Sequence, residues 1–291
     1  MKLGVITDGI SRDFEHALTV MDEFGLDYAE LQFVWDKEVG DLDTAERARV
    51  CDLLERHGKK VSNICHHVFA GMPMTTRPGE PLHVKHMDRL KRCIEIARQV
   101  GSPKVRILSG KKETILWGLH GAEQWNVAKG AWDALLPLIA PAIELARAED
   151  AQLVVETGNG TMVNSCWTGK RLIDDLGAQD VLTVLWDPAN NCWAHEDAWP
   201  EGYETLGSAA PGGYLGHMHV KDVRADTPKA TLEVRPFGEG QLAAQWEPLA
   251  AALKRDGYDC VISYESVYHP GDGDFEAGFR GSVDRFKQIF Q

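Results

Sequence analysis

The stretch LGVITDGISRDFEHALTVMDEFG, residues 3–25, contains in order a short apolar run, a polar loop and an amphipathic segment that ends at a glycine. The apolar residues of the last segment recur at helical spacing, at Phe14, Ala17, Leu18, Met21 and Phe24. A glycine directly after such a segment is typical of a helix end. The stretch therefore predicts one β-strand followed by one α-helix.

This unit recurs along the chain, each time beginning with an apolar run. The runs lie at residues 3–7, 28–34, 60–66, 104–110, 152–158, 181–187, 213–220 and 260–266. Strands that alternate with helices predict a parallel sheet, and eight such units in 291 residues fit a (β/α)8 barrel. An open doubly wound sheet is the alternative, but it usually has fewer units, and no GxGxxG motif follows the first run. We predict the α/β fold class, with a single TIM-barrel domain over residues 1–291.

Two of the predicted helices carry local signals. The second helix is predicted to begin at Asp43 or Thr44 and to end before Gly58, with three residues facing inward: Ala48, Cys51 and Leu54. In the fourth helix, Pro137 and Pro141 predict a break or a kink, because proline cannot donate a backbone hydrogen bond.

Charge and composition limit the partners of the chain. With 44 acidic and 31 basic residues the net charge is −13, and no cluster of lysine and arginine offers a face for phosphates, so we expect no nucleic-acid partner. No apolar run reaches the ~18 residues that a membrane span needs, and the first residues lack the apolar core of a signal peptide. Six cysteines without a CxxC pair are typical of reduced thiols. These features predict a cytoplasmic protein without a membrane partner.

Polar residues end the fifth to the eighth runs, and they are Glu156, Asp187, His219 and Glu265. The carboxyl ends of barrel strands share one face, where TIM-barrel active sites lie. Each of these residues follows several apolar ones, where an unpaired carboxylate is costly to bury. Three carboxylates with one imidazole suit Mn²⁺, Mg²⁺ or Co²⁺, whereas zinc more often has additional histidine or cysteine ligands. The sequence therefore predicts a divalent-metal site.

The motifs around these residues resemble those of a known family. They are Glu156 in VVETG, Asp187 followed by a turn of small residues, HxKD at 219–222, Glu265, and GEG within RPFGEGQL at 235–242. Over nearly its whole length the chain resembles the sugar phosphate isomerase/epimerase superfamily, with a xylose-isomerase-like barrel. This superfamily includes ketose 3-epimerases, inosose isomerases and dehydratases, and hydroxypyruvate isomerase. The resemblance implies one divalent metal, with Mn²⁺ expected and Mg²⁺, Co²⁺ or Zn²⁺ as alternatives, bound by Glu156, Asp187, His219 and Glu265.

The resemblance also indicates which histidine of the seventh run is the ligand. His217 and His219 share a face of that strand, and the family uses the histidine of HxKD, which is His219. His217 then either contacts substrate or lies one layer deeper in the barrel. Asn190 stands where ketose 3-epimerases carry a substrate-binding histidine, and its amide can bond a substrate hydroxyl but carries no charge.

Further polar residues are candidates for substrate contact, each with a structural alternative. His66 and His67 end the third run and face opposite ways, so one of the two is expected to reach the pocket, and His67 is the candidate. The remaining candidates contact substrate or form ion pairs, and they are Glu30, Lys221, Asp222 and Arg235. Loop tryptophans are expected to pack, with stacking on a sugar as the alternative: Trp117, Trp125, Trp167, Trp193 and Trp199.

The resemblance implies a metal-dependent isomerase or epimerase of a keto- or aldo-sugar or a related polyol derivative. Glu156 and Glu265 are expected to move protons through an enediolate. The alternative is a lyase of the same fold, similar to inosose or dehydroshikimate dehydratases or to enzymes that cleave 3-keto-glycosides. An endonuclease-IV-like repair enzyme is less favoured, because it needs three zinc ions, more strand-end histidines and a basic face. Many relatives form homodimers, and a homodimer or larger homo-oligomer is compatible with the sequence.

Overall fold

Eight parallel strands close into a barrel in the computed structural model, which describes residues 1–114, 118–120, 122, 128–207, 212–229, 231–271 and 273–291. In chain order the strands are β1 (Lys2–Ile6), β2 (Tyr28–Leu31), β3 (Phe33–Val34), β4 (Lys37–Glu38), β5 (Lys60–Ile64), β6 (Val105–Ile107), β7 (Leu153–Glu156), β8 (Leu182–Trp186), β9 (Leu215–Val220), β10 (Asp222–Asp226), β11 (Thr231–Arg235) and β12 (Val261–Tyr264). Around the barrel the order is β1-β12-β9-β8-β7-β6-β5-β2. The predicted (β/α)8 fold class is confirmed.

Helices connect the barrel strands and pack on their outer side. They are α1 (Phe14–Phe24), α2 (Thr44–Arg56), α3 (Pro81–Val100), α4 (Lys129–Ala148), α5 (Cys166–Leu176), α6 (Pro188–Asn191), α7 (Tyr203–Thr205), α8 (Ala243–Arg255) and α9 (Phe275–Phe290). In α1 the Asp13 side chain accepts from the backbone N–H of His16, and Gly25 ends the helix at φ 63°. Glycine adopts this left-handed conformation at little cost, so the predicted end of the first helix is confirmed.

The inward face of α2 differs from the prediction. Asp43 is the N-cap, as expected, and forms a capping box with Glu46. Ala48 is nevertheless exposed and Cys51 only half-buried, while the buried side chains are Val50, Leu53 and Leu54. Valine and leucine bury more apolar area than alanine, and their burial fixes how the helix is rotated against the barrel.

The prolines of α4 do not end the helix, which runs without interruption through Pro137 and Pro141. The predicted break is wrong. Proline removes the partner of the carbonyl four residues earlier. Those carbonyls belong to Asp133 and Pro137, which both lie on the exposed side of α4, where water can bond them. Burial of the opposite face, including Trp132 and Leu135, holds the helix together.

Two short hairpins stand outside the barrel at the carboxyl ends of its strands. The run 28–34, predicted as one strand, divides into β2 and β3, because Phe33–Val34 pairs with Lys37–Glu38. Directly after β9, the strands β10 and β11 form an antiparallel hairpin in which Asp222 lies opposite Arg235. Neither hairpin was predicted.

The barrel register is irregular at two places. The pairing shifts between Ala29 and Glu30, where β2 meets β5, and between Val184 and Leu185, where β8 meets β9. Such irregularities re-aim the side chains that follow them. Both lie within three residues of a candidate site residue, Glu30 or Asp187. No helix of the described residues is long and apolar enough to cross a membrane, and all six cysteines are free thiols.

Candidate metal centre

The ends of β7, β8, β9 and β12 bring the four predicted metal ligands together. Glu156, Asp187, His219 and Glu265 each offer one ligand atom, and these atoms all lie within 4.8 Å of one another. His219 Nδ1 is 3.5 Å from Glu156 Oε1 and 3.7 Å from Glu265 Oε2. Three of the four side chains are buried, and Glu265 is half-buried. One nitrogen and three carboxylates therefore converge at the end of the barrel.

The two ring nitrogens of His219 have different surroundings. Nε2 lies 2.9 Å from Glu30 Oε1, and a carboxylate only accepts hydrogen bonds, so Nε2 carries the proton. Nδ1 is buried and has no hydrogen-bond partner among the described residues. A buried nitrogen without a partner is costly. Against the effect of burial, Glu30 and Glu156 raise the pKa of His219 well above its usual range, so its surroundings favour a positive charge. A divalent cation would satisfy this nitrogen and the carboxylates together, so the residues present fit such an ion.

Glu30 lies behind His219 and has no free oxygen for a substrate. It is fully buried, its Oε2 lies 2.8 Å from His217 Nε2, and its Oε1 also accepts from Asn63 at 2.8 Å. Burial alone would raise the pKa of Glu30, but His219 and His217 hold this pKa well below its usual range. Of the two alternatives for Glu30, the structure contains the ion pair, and His217 lies in the same deeper layer. Contact of Glu30 with substrate stays a prediction.

Glu156 is paired with a buried arginine that the sequence reasoning missed. Arg106, on β6, is 4% exposed, and its Nη1 lies 2.6 Å from Glu156 Oε2. Its Nη2 donates to the carbonyl of Cys65 at 2.6 Å. Burial opposes ionisation of Glu156, but Arg106 together with His219 and Lys221 holds the pKa of Glu156 below its usual range. The sequence signal that could have identified this pair is the position of Arg106 inside an apolar run, because a buried arginine rarely lacks an anionic partner.

Lys221 lies between two of the candidate ligands. Its Nζ donates to Asp187 Oδ2 and, at 2.6 Å, to Glu265 Oε2. Asp187 Oδ1 accepts from the backbone of Ala189 at 3.0 Å, so this oxygen caps α6 while Oδ2 faces the cluster. Burial and the neighbouring carboxylates of Glu265 and Glu156 raise the pKa of Asp187 against the opposing charge of Lys221. This crowding of carboxylates is what a bound cation relieves.

Asp222 has a structural position that differs from its predicted role in substrate contact. It is 1% exposed, and its carboxylate accepts hydrogen bonds from four protein donors: the backbones of Val223, Gly238 and Leu242 and the indole of Trp246. These bonds hold the GEG segment against the start of the hairpin. The oxygens of Asp222 are thus satisfied by the protein, and its contact with substrate stays a prediction.

The remaining substrate candidates lie at or near the strand ends. Asn190 is 9% exposed, and its amide donates to the carbonyl of Thr157 at 3.0 Å. Arg235 ends β11, and its nearest carboxylate is that of Glu233 at 3.8 Å. Neither contact excludes a substrate, so both residues stay predictions.

His66 and His67 differ in exposure. His67 is one-third exposed, with Nδ1 2.9 Å from Glu38 Oε1 and Nε2 3.2 Å from Gln32 Nε2. His66 is fully buried against the same glutamate. Only His67 is thus accessible. Of the loop tryptophans, Trp117 and Trp125 lie outside the described residues.

A (β/α)8 barrel with a polar cluster at the carboxyl ends of β7, β8, β9 and β12 defines the class of protein. The chain belongs to the xylose isomerase-like TIM barrel family, whose family model matches residues 18–289. No curated protein is similar to the chain in sequence.

Solved structures with the same fold include several enzymes. The apo 3-keto-D-glucoside 4-epimerase YcjR from E. coli has a TM-score of 0.70 and 16% identity, with 99% of each chain covered. The IOLI protein with a bound zinc atom has a TM-score of 0.73 and 15% identity, over 100% of this chain and 98% of that one. The probable 3-DHS dehydratase AsbF from Bacillus anthracis has a TM-score of 0.71 and 14% identity, over 96% of this chain and 98% of that one. At these identities the likeness is one of fold.

Proposed function

We propose that the protein is a divalent-metal-dependent isomerase or epimerase that transfers a proton on a keto- or aldo-sugar or a related polyol derivative. The observation that carries the proposal is the convergence of Glu156, Asp187, His219 and Glu265 within 4.8 Å, with the Nδ1 atom of His219 unsatisfied. Epimerases among proteins of the same fold support it.

These four residues would hold the metal, with Mn²⁺ as the proposed ion and Mg²⁺, Co²⁺ and Zn²⁺ as alternatives. When bound, the ion supplies Lewis-acid stabilisation for the negative charge that develops on a substrate oxygen. The IOLI protein, which shares the fold, has a bound zinc atom, and this supports a metal in the present chain. Lys221, which bonds Asp187 and Glu265, keeps both carboxylates oriented toward the site.

Glu156 and Glu265 are the proposed proton carriers. They come from β7 and β12, and β8 and β9 lie between these strands in the barrel, so the two carboxylates approach the cluster from different sides. One carboxylate would remove the proton beside the substrate carbonyl, and the other would return a proton to the opposite face or to the neighbouring carbon. Arg106 favours the ionised form of Glu156, and Lys221 does the same for Glu265.

The experiment that tests this proposal is solvent exchange. The protein, loaded with Mn²⁺ or treated with a chelator, is incubated in D₂O with a panel of ketoses, and deuterium at the carbon beside the carbonyl is followed by NMR. We expect exchange that depends on the metal and proceeds without loss of water. No exchange with any sugar would contradict the proposal.

The same experiment distinguishes the lyase alternative. Removal of the same proton followed by loss of a β-hydroxyl yields an unsaturated product, which is detected by its ultraviolet absorbance. The probable 3-DHS dehydratase AsbF shares the fold and supports this alternative. Accumulation of such a product from a keto-polyol would show that the protein catalyses elimination instead of isomerisation. The proposed metal site would not be affected by this result.

The proposal extends to partners and location. The net charge of −13 supports a small-molecule substrate without nucleic acid, and the free cysteines support a cytoplasmic location. A homodimer or larger homo-oligomer stays the proposed assembly. Light scattering would measure its mass, and salt-sensitive retention on DNA would contradict the absence of a nucleic-acid partner.

A further inference from the structure

A cavity of about 590 Å³ adjoins the candidate metal centre. Its walls come from the segments after β1, β2 and β12 and from the start of α9, and its polar lining includes Asp8, Arg12, Gln32, Glu265, Asp274 and Glu276. Because Glu265 is also a candidate metal ligand, a substrate held at the metal centre would extend into this space. The volume lies within the range of small-molecule sites, so the cavity accommodates the remote end of a sugar.

The charge of the lining is mainly negative. Among the described residues that line the cavity, the carboxylates of Asp8, Glu265, Asp274 and Glu276 face a single cation, Arg12. The guanidinium of Arg12 lies over the ring of Phe33, 4.8 Å from its centroid, and forms no ion pair within the described part of the chain. At the inner end, the charge of Lys221 is already shared by Asp187 and Glu265.

The start of α9, which borders the cavity, is also occupied by acidic groups. A helix N-terminus is a common phosphate site, because its free N–H groups attract anions. Here the carboxylate of Asp274 accepts from the backbone N–H of Ala277 at 2.9 Å. Glu276 follows in the first turn, 2.7 Å from both Arg280 and His16, so these two basic side chains are directed away from an incoming anion. A phosphate would therefore meet like charge where it would otherwise bind.

The same lining suits hydroxyl groups. The carboxylate of Asp8 is held in place by the backbone N–H of Phe33 at 3.1 Å, and the amide of Gln32 is hydrogen-bonded to His67. A carboxylate in a fixed position accepts hydrogen bonds from hydroxyls, and an amide both donates to them and accepts from them. We infer that the substrate is a neutral, hydroxyl-rich molecule without a phosphate at the end remote from the metal centre. This inference rests on the proposed function and narrows its substrate class.

The test compares each ketose with its own terminal phosphate ester. Wild-type protein loaded with Mn²⁺ is given D-fructose or its 6-phosphate, D-tagatose or its 6-phosphate, and D-ribulose or its 5-phosphate. Deuterium uptake from D₂O gives kcat/KM for each. In every pair that exchanges, we expect kcat/KM for the free sugar to exceed kcat/KM for the ester by at least about tenfold, because several carboxylates repel the phosphate. A kcat/KM for an ester that equals or exceeds the value for its free sugar would overturn the inference but leave the proposed function intact.

A charge variant tests whether the carboxylates of the cavity cause the preference for the free sugar over its ester. Glu276→Gln removes one carboxylate from the lining and the charged partner of His16, while Arg280 keeps its ion pair with Glu23. The ester-to-sugar ratio of kcat/KM should therefore rise about threefold to tenfold. The matched control is Glu247→Gln, which removes an exposed carboxylate paired with Arg285 elsewhere on the surface. This control should keep the wild-type ratio.

An unchanged ratio in Glu276→Gln would show that the remote end of the substrate does not lie in this cavity, and would overturn the inference. Absence of metal-dependent exchange with every sugar and every ester is a different result, because it removes the proposed function and the inference together.

Discussion

At the scale of single residues, the orientation of His219 decides whether a metal can bind. Glu30 accepts from its Nε2 atom and from His217, and this fixes the ring so that Nδ1 faces Glu156 and Glu265. A carboxylate behind a metal-binding histidine also makes the ring a stronger ligand. Glu30 would therefore act on a bound metal through His219, since its own oxygens bond His217, His219 and Asn63.

The first prediction concerns this support. Glu30→Gln keeps the size of the side chain but removes the negative charge that holds both histidines, so Mn²⁺ affinity should fall by about 10-fold to 100-fold. Titration of the metal-free protein with Mn²⁺ measures the change. The control is Glu23→Gln, which removes an exposed carboxylate paired with Arg280 and should bind like wild type. Wild-type affinity in Glu30→Gln would contradict the role given to Glu30.

The second prediction concerns proton transfer. Glu156→Gln and Glu265→Gln keep an oxygen ligand but cannot take up a proton, so each should retain much of its metal and lose most of its turnover, by about 100-fold or more. Deuterium incorporation should fall in parallel. If either variant stays loaded with metal and turns over within a few-fold of wild type, that glutamate is only a ligand.

The site was only partly predictable from sequence, for a physical reason. The four candidate ligands could be grouped from sequence because each ends an apolar run at the same end of a barrel. Glu30 and Asp222 also lie at or near strand ends, yet their oxygens are satisfied by protein donors that are distant in sequence. Spacing along one strand cannot show such partners. Arg106 was missed for the same reason, since its partner lies on the neighbouring strand.

At the scale of elements, the GEG segment is packed against the start of the hairpin β10–β11. A Cβ added at Gly240 would lie 2.1 Å from Asp222 Oδ1 and 2.5 Å from the backbone oxygen of Val223. Oδ1 cannot move without breaking bonds that Asp222 accepts, and the oxygen of Val223 accepts from the backbone N–H of Gln241 at 2.7 Å. The glycine is therefore required by close contact rather than by backbone conformation.

The third prediction follows from this contact. Gly240→Ala should destabilise the fold by about 1–3 kcal/mol through overpacking, which corresponds to roughly 3–10 °C in Tm for a chain of this size. Thermal unfolding followed by circular dichroism measures the shift. Gly281→Ala in α9 is the control, because a Cβ there meets nothing within 4 Å and should not lower Tm. Equal melting of Gly240→Ala and wild type would contradict the packing argument.

A buried histidine fixes the loop after β5 to α3. The backbone N–H of Phe69 donates to His86 Nδ1 at 2.9 Å, so this ring must be neutral on that nitrogen. Burial lowers the pKa of His86 to about 4. Between pH 6.5 and 4 the unfolded chain therefore binds a proton that the folded chain does not, and stability falls as the pH falls.

The fourth prediction uses His86→Asn, which keeps an acceptor near the position of Nδ1 but cannot be protonated. From pH 7 to pH 4.5, wild type should lose on the order of 2 kcal/mol more than the variant. Urea unfolding at these two pH values measures the difference. An identical loss of stability in both proteins would show that His86 does not titrate in this window.

Elements were predicted well where their signals are local. The eight barrel strands and the ends of α1 follow from apolar runs, a capping aspartate and a closing glycine. The hairpins β3–β4 and β10–β11 were not predicted, because β4, β10 and β11 are short or partly exposed and lack an apolar run, while β3 continues the apolar run of β2. The helix α4 is unbroken because packing of its buried face outweighs the effect of its two prolines. Such packing cannot be predicted from a local sequence signal.

At the scale of the whole molecule, the candidate centre exists only when the barrel is closed. Its four ligands come from four different strands, and the chain between the first and the last spans residues 156–265. An unfolded chain cannot present these atoms together, so a bound metal would stabilise the folded state. The central claim is therefore that the folded chain binds a divalent metal through these residues.

The measurement that tests this claim most directly is elemental analysis of purified protein after exposure to Mn²⁺ and removal of excess metal. Wild type should contain about one equivalent per chain, and Asp187→Ala and His219→Ala should each contain close to none, because a lost ligand cannot be replaced by an outer contact. Glu23→Gln is the control and should retain the wild-type content. Full metal content in both ligand variants would contradict the site, and with it the proposed function.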